Sequence, residues 1–229
     1  MDINIIQTEL IYMYDPVIFD LDGTLLNTLG DLAAAGNHAL SELGFSVHEE
    51  NAYKLFVGNG IPKLIERMLP KDFSESDFSN AYRLFSDYYS VHSADKTVPY
   101  DGIPELLEEL SAHNITCLCN TNKSHEFAAD LLKRFFGGKL TEVIGGEHGY
   151  PKKPSPNAAL YLAEKYKKSD LSPIYIGDSS VDMQTAANAG FDACGVLWGF
   201  RTLEELSSCK PRFIAENVDI LRKIILDNQ

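Results

Sequence analysis

Four polar clusters follow short apolar runs, three of them directly and one across a loop. Asp20-Leu21-Asp22-Gly23-Thr24 follows Val17-Ile18-Phe19, and Asn120-Thr121-Asn122-Lys123 follows Ile115 to Cys119. Lys152-Lys153-Pro154 comes one loop after Val143-Ile144, and Gly177-Asp178-Ser179-Ser180-Val181-Asp182 follows Ile174-Tyr175-Ile176. Converging carboxylates repel one another and rise in pKa unless a cation sits among them. Oxygen-only ligands suit a hard divalent ion, and Mg²⁺ commonly binds through one or two carboxylates plus phosphate oxygens. A lysine and a hydroxyl at the rim can hold the other oxygens of a phosphoryl group. One carboxylate can attack phosphorus to give an aspartyl-phosphate. A second, two residues away, can protonate the leaving oxygen and later activate water.

Each cluster taken alone has a plainer reading. Asp-Leu-Asp-Gly-Thr could be an Asx-rich turn, but its four fixed residues arise by chance only on the order of 10⁻⁵ per start position at usages of roughly 5–7% each. A calcium loop wants glycine at its sixth position, where this chain has Leu25. Thr121 alone reads as a strand-end residue, Lys153 as a solvated charge and Gly177-Asp178 as a helix cap. Four clusters in this order, each at the end of an apolar run, are what makes a site of them.

The elements that must position them follow from the pattern. The apolar runs, with Ala193 to Trp198 as a fifth, are short and rich in β-branched residues, which predicts buried strands. Amphipathic helices lie between them: Ile103, Leu106, Leu107 and Leu110 behind Pro104, and Phe127, Ala128, Leu131, Leu132 and Phe135 after Ser124. Ser155-Pro156 opens a further helix, and Thr202 to Glu205 reads as a capping box. Alternating strands and helices predict an α/β fold, a Rossmann-like three-layer core with a mainly parallel sheet. In such a sheet ligands bind beyond the carboxyl ends of the strands, where all four clusters fall.

One stretch breaks the alternation. From about Leu29 to Val91 the pattern gives helices and no convincing strand, with a first helix ended by Gly44 and a second behind a capping box at Ser46-Val47-His48-Glu49. Gly60 to Leu69 makes a third helix, and Ser74 to Val91 a fourth with Phe78, Tyr82, Phe85 and Tyr89 on one stripe. Ten of the 23 Phe and Tyr residues lie between Phe45 and Tyr100, which suits the core of a small helical bundle. The expected organisation is a core of residues 1–26 and 97–229 with an α-helical insert over 27–96, joined through Thr24 to Thr28 and Ala94 to Ile103.

The composition bounds the function. The chain has 229 residues, 45% hydrophobic, with 33 acids against 20 bases, a net charge of -13. That balance argues against nucleic acid or an anionic membrane as partner, since both need a basic surface. Four cysteines are too few for a disulfide scaffold, and Cys117, Cys119 and Cys194 sit inside apolar runs as reduced, buried thiols would. The first residues carry acids where a secretory leader would carry Lys or Arg, and the expected location is the cytoplasm.

With these residues in view, the chain resembles the phosphatases of the haloacid dehalogenase (HAD) superfamily over nearly all its length after Asp15. The motifs that carry the likeness are D-x-D-G-T at Asp20 to Thr24, the strand-end Thr121, Lys153 before Pro154-Ser155-Pro156, and G-D-S-x-x-D at Gly177 to Asp182. The resemblance implies Asp20 as nucleophile, Asp22 as general acid and base, and Mg²⁺ held by the Asp20 carboxylate, the Asp22 backbone carbonyl and Asp178. It implies Thr121, Asn122 and Lys153 on the phosphoryl group, Gly23 and Thr24 beside the substrate, and Ser179 and Asp182 as supports. The helical insert matches the family's α-helical cap, which closes over the site and selects substrates.

Within the superfamily the chain is similar to the phosphoglycolate phosphatase-like group, through Val57-Gly58-Asn59-Gly60, Thr121-Asn122-Lys123, Lys153-Pro154-Ser155-Pro156 and Trp198-Gly199-Phe200-Arg201. Gly58, Asn59 and Gly60 serve a helix–helix turn, a substrate contact or both, and Arg67 is expected on a solvated helix face. Two departures stand out. Asn27-Thr28 replaces the Asp-Ser common in relatives, and about fifteen residues precede the first strand. The expected activity is Mg²⁺-dependent hydrolysis of a small phosphorylated metabolite, 2-phosphoglycolate first, by a monomer or homodimer. The alternatives are a phosphosugar mutase, a pyrophosphatase or a regulatory module whose aspartate stays phosphorylated.

Overall fold

A computed structural model of the chain describes residues 14–168 and 170–226. Most of the N-terminal extension lies outside the described residues. In chain order the elements are β1 (Tyr14–Phe19), β2 (Leu26–Asn27), α1 (Leu29–Glu42), α2 (Tyr53–Phe56), α3 (Ile61–Met68), α4 (Glu75–His92), β3 (Val98–Pro99) and α5 (Ile103–Ala112). Then follow β4 (Cys117–Ser124), α6 (His125–Phe136), β5 (Glu142–Gly146), α7 (Asn157–Lys165), β6 (Ser172–Gly177), α8 (Ser180–Ala189), β7 (Asp192–Val196), α9 (Leu203–Ser208), β8 (Phe213–Ala215) and α10 (Val218–Leu226).

Six strands form one sheet in the order β5-β4-β1-β6-β7-β8, and every pairing in it is parallel. The sheet has a helical layer on each face, as the two-residue alternation along β1 requires. Val17 and Phe19 pack with Leu106, Leu107, Leu131 and Ile225 from α5, α6 and α10. Ile18, between them, packs with Ala159, Leu162, Met183 and Ala186 from α7 and α8. The expected α/β fold with a mainly parallel sheet is what the chain forms. None of the described helices is long and apolar enough to cross a membrane.

Between β2 and β3 the chain is helical, and Leu32, Leu40, Tyr53, Leu64, Ile65, Phe85 and Tyr89 make an apolar cluster of their own. The sheet domain contributes Phe200 to it. Of the aromatic stripe on α4, Phe85 and Tyr89 are fully buried, whereas Tyr82 is exposed. Ser74 caps α4 in a reciprocal box with Asp77.

Four local expectations need correction. Ser46 caps no helix: the next turn is a short 3₁₀ helix at Glu50–Ala52 behind Glu49. The reason is Asn37, whose side chain accepts from the His48 N–H and donates to the His48 carbonyl, holding this stretch as a loop. Three short strands escaped the pattern: β8, and the two of an antiparallel ribbon, β2 and β3, in which Leu26 faces Pro99 and Asn27 faces Val98. Strands of two or three residues carry no measurable alternation. Last, β4 does not stop at Cys119 but runs through Ser124, with an irregularity in its pairing to β5 between Asn120 and Ser124.

Candidate active site

Strand register brings three of the four clusters together. Phe19 lies opposite Cys119 on β4 and opposite Ile176 on β6. Asp20, Asn120 and Gly177 therefore come level at the carboxyl edge. β1 is also where the strand order reverses, since the chain builds outward to β4 and β5 on one side and to β6, β7 and β8 on the other. This is the switch point at which open parallel sheets form their crevice.

The turn behind β1 is tight. The Leu21 carbonyl accepts from the N–H groups of Thr24, Leu25 and Leu26, and the Gly23 N–H donates to the Leu26 carbonyl. Gly23 has φ of +90°, and a Cβ at that position would overlap the Asp178 carboxylate. Only glycine lets this backbone pass so close to an acidic side chain. Thr24 is fully buried, and its carbonyl accepts from the Trp198 indole.

Asp20, Asp178 and Asp182 are all buried and lie within 4.8 Å of one another by their ligand oxygens. Lys153 stands among them, with Nζ 2.8 Å from Asp20 Oδ1 and 2.6 Å from Asp182 Oδ1. The first is an ion pair off the line of a directed hydrogen bond, so Asp20 Oδ1 has no hydrogen-bond partner among the described residues. Both oxygens of Asp182 are engaged: Oδ1 by Lys153, and Oδ2 by the Ser179 hydroxyl at 2.6 Å and the Ser179 N–H at 3.1 Å. That capping box fixes the start of α8. Asp178 Oδ2 accepts from the Phe200 N–H at 2.7 Å.

Burial dominates the electrostatics. It pushes the Asp20 carboxyl up to about 6, with Lys153 partly offsetting it. Burial, then Asp182 and Asp20, push Asp178 well above the usual carboxylate range. For Lys153 burial works against the charge, but Asp182 and Asp20 outweigh it and its pKa rises. Three buried carboxylates against this lysine leave excess negative charge, and the donors are all oxygen. A hard cation fits that combination.

Asp22 is held elsewhere. Its Oδ1 accepts from the Thr28 hydroxyl at 2.7 Å and from Lys123 Nζ at 3.0 Å, so its side chain points toward the helical insert and not into the carboxylate cluster. Thr121 is buried, and its hydroxyl accepts from the Lys123 N–H. The Asn122 side chain accepts from the Lys153 N–H at 2.9 Å and donates to the Gly58 carbonyl at 3.0 Å, tying sheet edge to insert. A narrow cleft runs between them, lined by Asp20, Asp22, Thr121, Asn122 and Lys123 on one side and Gly58, Gly60, Ile61 and Leu64 on the other. Asn59 turns its side chain to Arg67, which bonds it at 2.7 Å and the Phe56 carbonyl at 2.9 Å.

This geometry has close precedents. The family model described as haloacid dehalogenase-like hydrolase matches residues 17–196. The chain belongs to that family. As a haloacid dehalogenase-like hydrolase it is 33% identical to the phosphoglycolate phosphatase of Vibrio parahaemolyticus over 91% of this chain and 95% of that one. A solved structure from Lactobacillus delbrueckii subsp. bulgaricus superposes with a TM-score of 0.87 at 27% identity, covering 94% of this chain and all of the other. A predicted phosphoglycolate phosphatase from Haemophilus somnus gives 0.84 at 29%, covering 92% and 97%. Among haloacid dehalogenase-like hydrolases the chain is a phosphatase of the phosphoglycolate phosphatase-like group.

Sequence reasoning passed over three residues around Asp22 and one at the insert. The sequence pattern gives Lys123 no role, makes Thr28 a departure from relatives and places Tyr89 in the aromatic core. Tyr89 donates nothing to that core through its hydroxyl, which instead accepts from Lys123 Nζ at 2.8 Å. Arg201, on the loop after β7, bonds the backbone carbonyls of Lys54 and Val57. The one available signal was a lysine directly behind Thr121-Asn122, at the polar end of a strand that opens on the apolar Cys117 to Cys119.

Proposed function

We propose that the chain hydrolyses the phosphomonoester of a small metabolite, 2-phosphoglycolate first among candidates, through an aspartyl-phosphate on Asp20. The observation that carries this reading is the buried Asp20–Lys153–Asp182 grouping with Asp178 at the switch point. Asp20 would attack phosphorus with a carboxylate oxygen while the bond from phosphorus to the ester oxygen breaks. The Asp22 carboxyl would give its proton to the departing alkoxide, then as carboxylate take one from the water that attacks the acyl phosphate. That second step breaks the phosphorus–Asp20 bond and releases inorganic phosphate. Lys153 opposes the charge of Asp20 and of the phosphoryl oxygens, and Thr121 and Asn122 line the same cleft.

Asp20, Asp178 and the Asp22 backbone carbonyl would hold Mg²⁺, which when bound offsets the negative charge gathered between enzyme and phosphoryl group. Asp182 is left out of that set because both its oxygens are engaged by Lys153 and Ser179. Residues 27–96 would act as a cap over a core of 1–26 and 97–229, with Gly58 and Gly60 at the substrate. The substrate assignment rests on relatives named phosphoglycolate phosphatase that match along most of both chains.

Phosphate release from a panel of phosphorylated metabolites, with and without Mg²⁺, tests the reading beside Asp20→Asn. Turnover on 2-phosphoglycolate is expected to need Mg²⁺ and to vanish in that variant. Activity surviving the substitution would remove Asp20 as nucleophile. Isomerised product with little free phosphate would point to a mutase, and phosphate from pyrophosphate alone to a pyrophosphatase.

A further inference from the structure

Lys123 is a buried ammonium whose two described polar partners belong to different parts of the molecule. Its side chain is 2% exposed, and Nζ lies 3.0 Å from Asp22 Oδ1 and 3.4 Å from Oδ2. It also donates to the Tyr89 hydroxyl at 2.8 Å and sits 4.8 Å from the centre of that ring. Tyr89 is fully buried on α4, stacked on Phe85 at 5.5 Å and edge-on to Phe127 of α6 at 5.1 Å. Its hydroxyl therefore cannot wander. Thr28, at the start of α1, donates to the same Oδ1 that Lys123 holds.

A general acid or base works only when it presents the right oxygen to the reacting atom, so geometry comes before pKa. Two donors occupy Oδ1, at 2.7 and 3.0 Å, whereas among the described residues Oδ2 has only the long 3.4 Å approach of Lys123. We infer that Lys123 is a positioning residue for Asp22, that Tyr89 positions Lys123 in turn, and that Oδ2 is the oxygen left to exchange the proton. The inference rests on the acid and base role proposed for Asp22. It gives α4 of the insert a hold on the chemistry through one hydroxyl, where the aromatic stripe alone would give only packing.

The test uses two aryl esters that differ in how much they need a proton on departure. Phenyl phosphate has a poor leaving group and p-nitrophenyl phosphate a good one. The kcat/KM value reports the step that expels it. With saturating Mg²⁺, Lys123→Met is expected to lose about 10²-fold on phenyl phosphate and less than about tenfold on p-nitrophenyl phosphate, as loss of acid catalysis implies. Tyr89→Phe keeps the ring and its packing. It should lose about 3- to 10-fold on phenyl phosphate, the scale of one hydrogen bond, and little on the other ester. In an Asp22→Asn background neither change should lower phenyl phosphate turnover further by more than about twofold, because residues acting through one group are not additive.

Equal losses on both esters, or losses that multiply with Asp22→Asn, would overturn the positioning role. If Asp22→Asn distinguishes the esters while the Lys123 and Tyr89 variants do not, this inference alone falls. If Asp22→Asn itself fails to distinguish them, the acid and base reading falls first and takes the inference with it.

Discussion

Lys153 has the most exposed role in energetic terms, though the side chain itself is buried. Removing one partner of a buried ion pair typically costs about 3–5 kcal/mol, because the other charge stays buried without compensation. Here the loss would leave Asp20 and Asp182 facing Asp178 with no ammonium between them. Lys153→Met is therefore expected to lower unfolding free energy by about 3–5 kcal/mol in chelator, by urea titration. Mg²⁺ should recover part of it, since a ligand that binds only the folded state stabilises by mass action. No recovery at millimolar Mg²⁺ would argue that these carboxylates do not form the metal site. The residues of this cluster were legible in the sequence because each follows an apolar run. The pairing of Lys153 with Asp182 was not, because nothing in a spacing of 29 residues says which acid a lysine will meet.

At the level of elements, the turn after β1 and the end of α1 offer a controlled comparison. Gly23 and Gly44 both have positive φ, +90° and +75°, but only Gly23 has a neighbour in the space of a side chain. Gly44→Ala should lower stability by about 1 kcal/mol, the backbone strain alone, and leave kinetics unchanged. Gly23→Ala adds the collision with Asp178, and is expected to raise the Mg²⁺ concentration for half-maximal activity at least about tenfold. Equal effects of the two substitutions on metal dependence would show that Asp178 yields freely. Long elements with a strong period were readable in advance: α1, α3, α4, α5 and α6 lie within two or three residues of their expected places. What escaped were devices whose partners lie far off in sequence. Asn37 overrides a local capping signal at Ser46 by holding His48, eleven residues away. The continuation of β4 through Lys123 puts four polar residues, Asn120 to Lys123, in a strand, which no hydrophobic pattern can announce.

For the whole molecule, burial sorts the four cysteines. Cys117, Cys119 and Cys194 are buried in the sheet, and burial pushes the thiols of Cys117 and Cys194 up to about 12 and that of Cys119 well above the ordinary thiol range. Cys209 is partly exposed. An alkylating reagent at pH 8 should add a single label to the native protein, at Cys209, and four after denaturation, read by mass, since the thiolate is the reacting form. Rapid modification of two or more thiols in the native state would mean that the sheet opens. The net charge of -13 was legible at once and argues against basic-surface functions. It gave no hint that the acids of the site are buried against lysine, because composition says nothing about where charges lie.

The ribbon of β2 and β3 has a consequence for how such a chain can change. Leu26 and Val98 bracket some seventy residues, yet the two crossings run side by side as paired strands, and Asp31 secures the return by accepting from Lys96 and Thr97. Loop closure grows only with the logarithm of length, and here the ends are already joined. To the parallel sheet the whole helical excursion is equivalent to a hairpin turn. Its length and contents are then free to drift, or to be exchanged for another lobe, without altering the register that sets Asp20 beside Asp178. The constraint on such an exchange is narrow: whatever replaces the lobe must still offer a hydroxyl to Lys123, carbonyls to Arg201 and a pocket for Phe200.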